Sequence, residues 1–385
     1  MAKKIYIIAG EASGDLHGAN LITHLRLESG SPLEIYGVGG EKIRQTGAKN
    51  FFDLAHFHVT GLTEAIRRFP KYREASRVIL EGIQKTSPDL VVLIDNPGFN
   101  LHLAKKVHAL GIPIVYYIAP QVWAWAPKRI LKIKKYVKKV LVVFEFEKKI
   151  YESNKIAVSW AGHPLKDLIP SSVEREKVKT KMGIAQGAPL ICLLPGSRKG
   201  ELKNLSSPFL KAAALIKKKI PDAFFALIKS DTLPKSFYER ILRDSPVAVN
   251  LVEEDSYSVI GASELAIVCS GTATLECALL ETPMVIANRG SFLTYLTAKS
   301  LIRVPYLGLP NLVLGKKKIP ELLQYDVTPE KIAREALKIL LDEKVKNLMR
   351  KDLSEVSKQL GEPGANRRAA LEVLKVLADC YSTGK

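Results

Sequence analysis

Three glycine-bearing turns follow apolar runs in this chain, each at a point where a strand pattern gives way to a helix pattern. They are AGEASGDLHGANL (9–21), with Gly10, Ser13 and Gly14; LLPGSRKGE (193–201), with Gly196, Ser197 and Arg198; and CSGTATLE (269–276), with Ser270, Gly271 and Thr272. Glycine permits a tight, positive-φ turn, while the free N–H groups and dipole of a helix start favour an anion, so these turns suit the holding of phosphate or sugar. Arg198 adds a guanidinium that can grip two phosphate oxygens at once. Glu276 follows Thr272 by one helical turn, which puts a carboxylate for ribose hydroxyls on the same face as the helix start. The competing assignments are structural: Ser13, Asp15, Ser270 or Thr272 as helix caps, residues 198–201 as a solvated charged first turn, and Glu276 as a surface residue. The order G-E-A-S-G-D is not the G-x-G-x-x-G of dinucleotide folds and gives no support to a nicotinamide or flavin.

Asp95 closes the apolar run LVVLID and is followed by Asn96, Pro97 and Gly98. An acid at the carboxyl end of a central parallel strand sits where a general base is needed, although an ordinary Asp, with a pKa of about 3.9, is only weakly basic near neutrality. Stabilisation of the Asp-Asn-Pro-Gly turn is the alternative. The seven histidines form no ligand pattern, there is no D-x-D, and Glu253, Glu254 and Asp255 read as a strand-end turn. No metal and no cofactor are therefore expected, and helix starts with Arg198 must stabilise any departing diphosphate.

The elements that must carry these residues are short, near-continuously apolar runs: 4–10, 33–39, 90–95, 113–119 and 139–144, then 190–194, 222–230, 247–252, 265–272 and 282–290. Runs of this kind are parallel strands buried on both faces. Amphipathic stretches such as Leu16 to Leu27 and Leu101 to Leu110 lie between them. The fold class is therefore α/β, with two Rossmann-like doubly wound parallel sheets facing a central cleft. Residues 1–165 are expected to form the first domain and 166–360 the second, with 361–385 returning as a helix to the first.

A chain of 385 residues is long enough for two domains, each with its own core. The hydrophobic fraction of 47% and charged fraction of 25% are ordinary, but the net charge of +19 points to an acidic partner: phosphorylated substrates, anionic lipid or nucleic acid. Nucleic acid ranks below the others, because no recognition motif for it is present. The four cysteines show no C-x-x-C spacing and read as buried thiols in a reducing compartment. The first apolar run is too short for a signal peptide, and no segment approaches the roughly 18 apolar residues of a membrane span. A cytoplasmic location with peripheral attachment to the inner membrane face is expected. Two stretches could provide that attachment: 61–79, where Arg67, Arg68, Lys71 and Arg73 alternate with apolar residues, and 121–140, where Trp123 and Trp125 precede seven basic residues. A buried helix with a charged, solvated back is the alternative for each.

Taken in order, AGEASGD (9–15), GVGG (37–40), IDNPGFN (94–100), PQVWAW (120–125), AGHP (161–164), LLPGSR (193–198), SGTATLE (270–276) and LPNL (309–312) resemble the lipid-A-disaccharide synthases. These are inverting glycosyltransferases of the two-domain GT-B fold, and the resemblance spans nearly the whole chain. It implies transfer of 2,3-diacylglucosamine from its UDP derivative to the 6-hydroxyl of 2,3-diacylglucosamine 1-phosphate, giving a β-1,6 disaccharide 1-phosphate and UDP. It also implies a catalytic set of Asp95 as base with Arg198, Glu11 and Ser13. The implied nucleotide-binding set is Gly196, Ser197, Arg198, Ser270, Gly271, Thr272, Glu276, Asn311 and Gln324. The family often carries I-D-A-P-D-F-N where this chain has Asn96 and Gly98, which leaves Asp95 as the only acid of that segment. A homodimer is a further expectation.

Other readings are a different GT-B transferase acting on UDP-GlcNAc, a UDP-GlcNAc epimerase, or a non-enzymatic module that binds lipid or nucleic acid. The first two are not expected to carry PQVWAW. The last predicts no thermal stabilisation by UDP, whereas a true site at a hundredfold excess of ligand over Kd gains about 2.7 kcal/mol.

Overall fold

Residues 2–10, 12–52, 62–124, 126–290 and 305–382 are described by a computed structural model. It divides into two compact units: Met1–Asp167 with Leu360–Lys385, and Leu168–Ser300 with Val304–Gln359. Each unit is one parallel sheet with helices between its strands.

The first sheet contains β1 (Lys3–Ala9), β2 (Leu33–Val38), β3 (Lys49–Phe52), β4 (Leu90–Ile94), β5 (Ile114–Tyr117), β6 (Lys139–Val142) and β7 (Val158–Trp160), in the order β3-β2-β1-β4-β5-β6-β7. The second contains β8 (Leu190–Leu194), β9 (Phe224–Ile228), β10 (Asn250–Val252), β11 (Leu265–Cys269), β12 (Met284–Asn288) and β13 (Glu321–Leu323), in the order β10-β9-β8-β11-β12-β13. Every residue of β4, β8 and β11 is buried, which explains why their sequences are continuously apolar rather than alternating. Three strands gave no such signal. β3, β7 and β13 have four, three and three residues and each lies at a sheet edge, too short to show a continuous apolar run.

Strand order reverses between β1 and β4 in the first sheet and between β8 and β11 in the second. At such switch points the connections leave in opposite directions and open a crevice at the carboxyl ends of the strands. In register, Ala9 faces Ile94 and Leu194 faces Val268, so Gly10 and Asp95 leave one crevice and Pro195 and Cys269 border the other.

The last helix, Ala365–Ser382, follows a break at Gly361 and Gly364, whose φ values are +86° and +93°. It packs against helix Ala12–Glu28 in the first unit. Asp167 caps it, accepting from the backbone of Gly364 at 2.5 Å, Ala365 at 3.2 Å and Asn366 at 2.9 Å. Arg367 pairs with Glu28 at 2.7 Å, and Glu372 accepts from Ser159 at 2.9 Å and from Lys139. No helix among the described residues is long and apolar enough to cross a membrane.

Candidate functional site

At the first switch point the backbone itself is unusual. Asp95 and Asn96 occupy the left-handed region consecutively, at φ +48° and +42°, just where β4 ends and helix Pro97–Ala109 begins. Such positions cost of order 1 kcal/mol or more each and persist only where neighbours fix them. Here the Asp95 carbonyl accepts from the Asn100 side chain at 2.7 Å and the Tyr116 hydroxyl at 2.7 Å, and the Asp95 N–H donates to Tyr117 at 3.1 Å. The carboxylate is half-buried beside Tyr116, whose phenol is pushed well up by its burial and then by the charge of Asp95. Gly10 is required by the same packing, because a Cβ there would lie 2.4 Å from the Asn96 amide nitrogen.

The first glycine turn has a different use for its acid. Asp15 is 4% exposed and accepts from the backbone of Gly40 at 2.7 Å, Lys42 at 3.0 Å and Ile43 at 3.1 Å. It therefore caps the helix Glu41–Gln45 rather than its own, and ties the GVGG segment to the turn. Ser13 is exposed on the first turn of helix Ala12–Glu28, and Glu11 lies outside the described residues. Burial pushes the His17 imidazole down to about 4, and burial followed by the proximity of His17 pushes His163 down to about 3. Both rings are neutral at pH 7.

Beyond β5 the PQVWAW segment is anchored from below. Ile118, a β-branched residue, sits at φ +54°, which turns the chain sharply out of the strand. Trp123 donates its indole N–H to Glu147 at 2.9 Å and meets Phe146 edge-on, with centroids 4.9 Å apart. Glu147 is fully buried, which pushes its carboxyl up to about 7 despite the indole and backbone donors around it. The polar edge of Trp123 thus faces Glu147, while the residue is half-buried. Trp125 and the side chains of Arg67, Arg68 and Lys71 lie outside the described residues. On helix Arg129–Tyr136, Ile133 is buried and Ile130 half-buried, while Lys128, Lys132, Lys134 and Lys135 are exposed beside Leu131, which is 65% exposed.

At the second switch point β8 runs into Pro195 and Gly196, and helix Lys199–Lys219 starts after Arg198. The groups that would receive an anion converge on a side chain of the loop itself. Glu201 accepts from the backbone N–H of Ser197 at 2.9 Å and Arg198 at 3.2 Å, and the Arg198 guanidinium reaches its other oxygen at 3.2 Å. Gly196, at φ +115°, makes room for this, since a Cβ would lie 2.4 Å from the carboxylate. The loop thus forms a capping box closed by Glu201, so its backbone donors are engaged by a carboxylate.

The third turn borders the same crevice. Ser270 is committed, its hydroxyl donating to the Leu307 carbonyl at 2.9 Å, whereas Gly271 is half-buried and Thr272 exposed at the start of helix Ala273–Leu279. Glu276 is half-buried. Burial pushes its carboxyl up to about 7, and no hydrogen-bond partner for that carboxyl is found among the described residues, a combination typical of groups that await a ligand. Asn311 requires a correction: it is 0% exposed and its amide is fully engaged. It donates to Ile319 at 2.8 Å and Glu321 at 2.7 Å and accepts from Lys318 and Ile319, each at 2.8 Å. It braces the segment leading into β13. Gln324 follows β13 with φ +50°, another strained residue at the carboxyl end of a strand.

Apart from Ala126, in the segment between β5 and helix Arg129–Tyr136, the non-glycine positive-φ residues among the described ones fall into two groups. Ser87, Lys155 and Glu281 follow helices, where a left-handed residue is an ordinary helix terminator. Asp95, Asn96, Ile118, Asp255 and Gln324 instead follow strands, on the side of the sheets that binds ligands. Glu147, Asp15 and Glu201 were missed as site-organising residues. Glu201 had a visible signal in its capping spacing, while the other two act across 24 or more residues.

Two Rossmann-like parallel sheets, each with a glycine turn and an acid at its switch point, define a GT-B architecture. Solved structures share it: S. aureus MnaA with UDP aligns at a TM-score of 0.69 and 14% identity over 98% of this chain and 97% of that one. A UDP-GlcNAc 2-epimerase from Neisseria meningitidis bound to UDP-GlcNAc aligns at 0.66 and 14%, over 97% and 100%. Sequence similarity is much closer elsewhere. The family model described as lipid-A-disaccharide synthetase matches residues 5–376. The lipid-A-disaccharide synthase of Syntrophus aciditrophicus is 38% identical over 98% of this chain and 100% of its own length, and that of Myxococcus xanthus 35% over 97% of each. The chain belongs to the lipid-A-disaccharide synthetase family, and it is a glycosyltransferase.

Proposed function

We propose that this enzyme transfers 2,3-diacylglucosamine from UDP-2,3-diacylglucosamine to the 6-hydroxyl of 2,3-diacylglucosamine 1-phosphate with inversion, releasing UDP. The observation that carries the reading is the family match across residues 5–376, and the position of Asp95 at the end of β4, at the switch point of the first sheet, supports its role as the base. Asp95 takes the proton of the acceptor hydroxyl as its oxygen attacks the anomeric carbon and the bond to the diphosphate breaks. The fixed backbone around Asp95 supports this role, because a base held in place gives proximity without reorganisation. Ser13 and Glu11 belong to the same acceptor side.

The second unit holds the nucleotide. Arg198, with the amides of Ser197 and the turn at Gly196, receives the diphosphate, and Gly271 and Thr272 border it from the next helix start. Glu276 accepts from ribose hydroxyls, which supplies the hydrogen bonds that its desolvated carboxylate lacks. Gln324 lines the same end of the sheet, while Ser270 and Asn311 shape it.

Both sugars carry acyl chains, so the enzyme works at the inner face of the membrane. The exposed Leu131 among Lys128, Lys132, Lys134 and Lys135 supports such a contact, since an apolar side chain ringed by cations suits an anionic lipid surface. Replacing Lys132 and Lys135 by Glu is expected to weaken sedimentation with anionic liposomes, and unchanged sedimentation would remove this helix from the contact. A homodimer belongs to the same reading, with a light-scattering mass of two chains as its signature.

The test of the reaction is UDP release from the acylated donor with acceptor present, in EDTA. Turnover is expected. Turnover with plain UDP-GlcNAc but not with the acylated donor would reject the proposal in favour of another GT-B activity.

A further inference from the structure

We infer that Glu147 is a positioning residue of the acceptor side, holding Trp123 and the segment 120–124 as a fixed wall beside Asp95; this rests on the reaction proposed above. The geometry comes from one helix face. In helix Glu145–Ser153, Glu147 and Tyr151 are one turn apart and both point under the segment. Glu147 Oε1 accepts from the Trp123 indole at 2.9 Å, and the Tyr151 hydroxyl donates to the Pro120 carbonyl at 2.8 Å. Glu147 Oε2 turns back to the Phe144 N–H at 3.2 Å, so the carboxylate also closes the N-terminus of its own helix. Phe146 meets Trp123 edge-on, and Phe144 stacks on Phe146 and touches His163, which completes an aromatic layer beneath the segment.

The arrangement costs more than a packing role needs. Glu147 is 0% exposed, and an acid in that position must be compensated by donors from several directions. An apolar side chain would fill the same space without that cost. What the acid adds is direction: one indole orientation satisfies it. The segment so fixed leaves β5, whose Tyr117 carbonyl accepts the Asp95 N–H at 3.1 Å, so Trp123 and Asp95 are carried by adjacent strand ends. A phosphorylated glycolipid presenting a primary hydroxyl to Asp95 needs such a wall to hold its sugar ring in the attacking orientation.

The experiment is a double-mutant cycle on the full-length enzyme, with Glu147→Gln, Trp123→Phe and the pair. It measures kcat/KM for the acceptor, Kd for UDP, and the near-ultraviolet circular dichroism of the tryptophans. Glu147→Gln preserves volume and one acceptor oxygen, so it keeps the fold where Glu147→Ala would leave two buried donors unmatched. Each single variant is expected to lower acceptor kcat/KM roughly tenfold, the loss typical of a hydrogen bond to a charged group. The pair should lose no more than the worse single variant, and UDP affinity should stay within twofold throughout. Additive losses, equal loss of UDP affinity, or a Glu147→Gln enzyme with normal acceptor kinetics and unchanged dichroism would overturn the inference. A wild-type enzyme that fails to turn over the acylated pair would instead overturn the reaction on which it rests.

Discussion

The two switch points solve the same problem in opposite ways. In the first unit the turn that carries the proposed base is fixed through its backbone: two consecutive left-handed residues are clamped by Asn100 and Tyr116, and the neighbouring segment is pinned by Glu147 and Tyr151. In the second unit the loop is built from glycine and polar residues, and Glu201 already occupies its donors from an exposed helix start. Chemistry that transfers a proton gains from a group that does not move, whereas a site that takes up and releases a nucleotide gains from groups that can exchange one anion for another. The difference in construction thus suits the division of labour proposed above between catalysis and nucleotide binding.

The sharpest way to break that division is Asp95→Asn, which keeps the shape of the first turn and removes its base. Turnover is expected to fall roughly 10²- to 10⁴-fold. A loss under tenfold would move the base elsewhere. Next in size is Arg198→Ala, which removes the charge proposed to hold diphosphate. UDP should bind roughly 10- to 100-fold more weakly, as expected for a charge-assisted contact.

Glu276 sharpens the comparison through pH. Its carboxyl is raised from 4.5 to about 7, so its protonated form is favoured by folding, and the stability it contributes is present below pH 4.5 and lost as pH rises through 7. Glu276→Gln should therefore match the wild type near pH 4 and exceed it at pH 8, by up to about 3 kcal/mol in unfolding experiments. The ionised form is the one that accepts from ribose, so UDP affinity should rise from pH 6 to pH 8 in the wild type and stay flat in the variant. The smallest effect expected is that of Gly196→Ala. The new Cβ meets Glu201 at a positive-φ position, and a thermal unfolding measurement should register a loss of about 1–3 kcal/mol.

Much of this was legible in the sequence because it depends on local order. The continuous apolar runs announce buried parallel strands, and the glycine turns and Asp95 stand directly after them, where the switch points fall. What escaped depends on residues distant in sequence. Asp15 caps a helix that begins at Glu41, and Glu147 reaches back 24 positions to Trp123, and neither spacing belongs to any local motif. Asn311 was legible as important but not in kind, since a polar residue in LPNL gives no sign that its amide is consumed by Lys318, Ile319 and Glu321. The indole partner of Trp123 was illegible for a related reason, since Glu147 lies in another element. The edge strands β3, β7 and β13 were too short to carry a pattern at all.

The central claim, that one unit performs the chemistry and the other holds the nucleotide, is tested most directly by calorimetric titration of UDP into the wild type, Asp95→Asn and Arg198→Ala side by side. The account predicts that Asp95→Asn binds UDP within twofold of the wild type while Arg198→Ala binds at least tenfold more weakly. Equal weakening in both variants, or full affinity in Arg198→Ala, would contradict it.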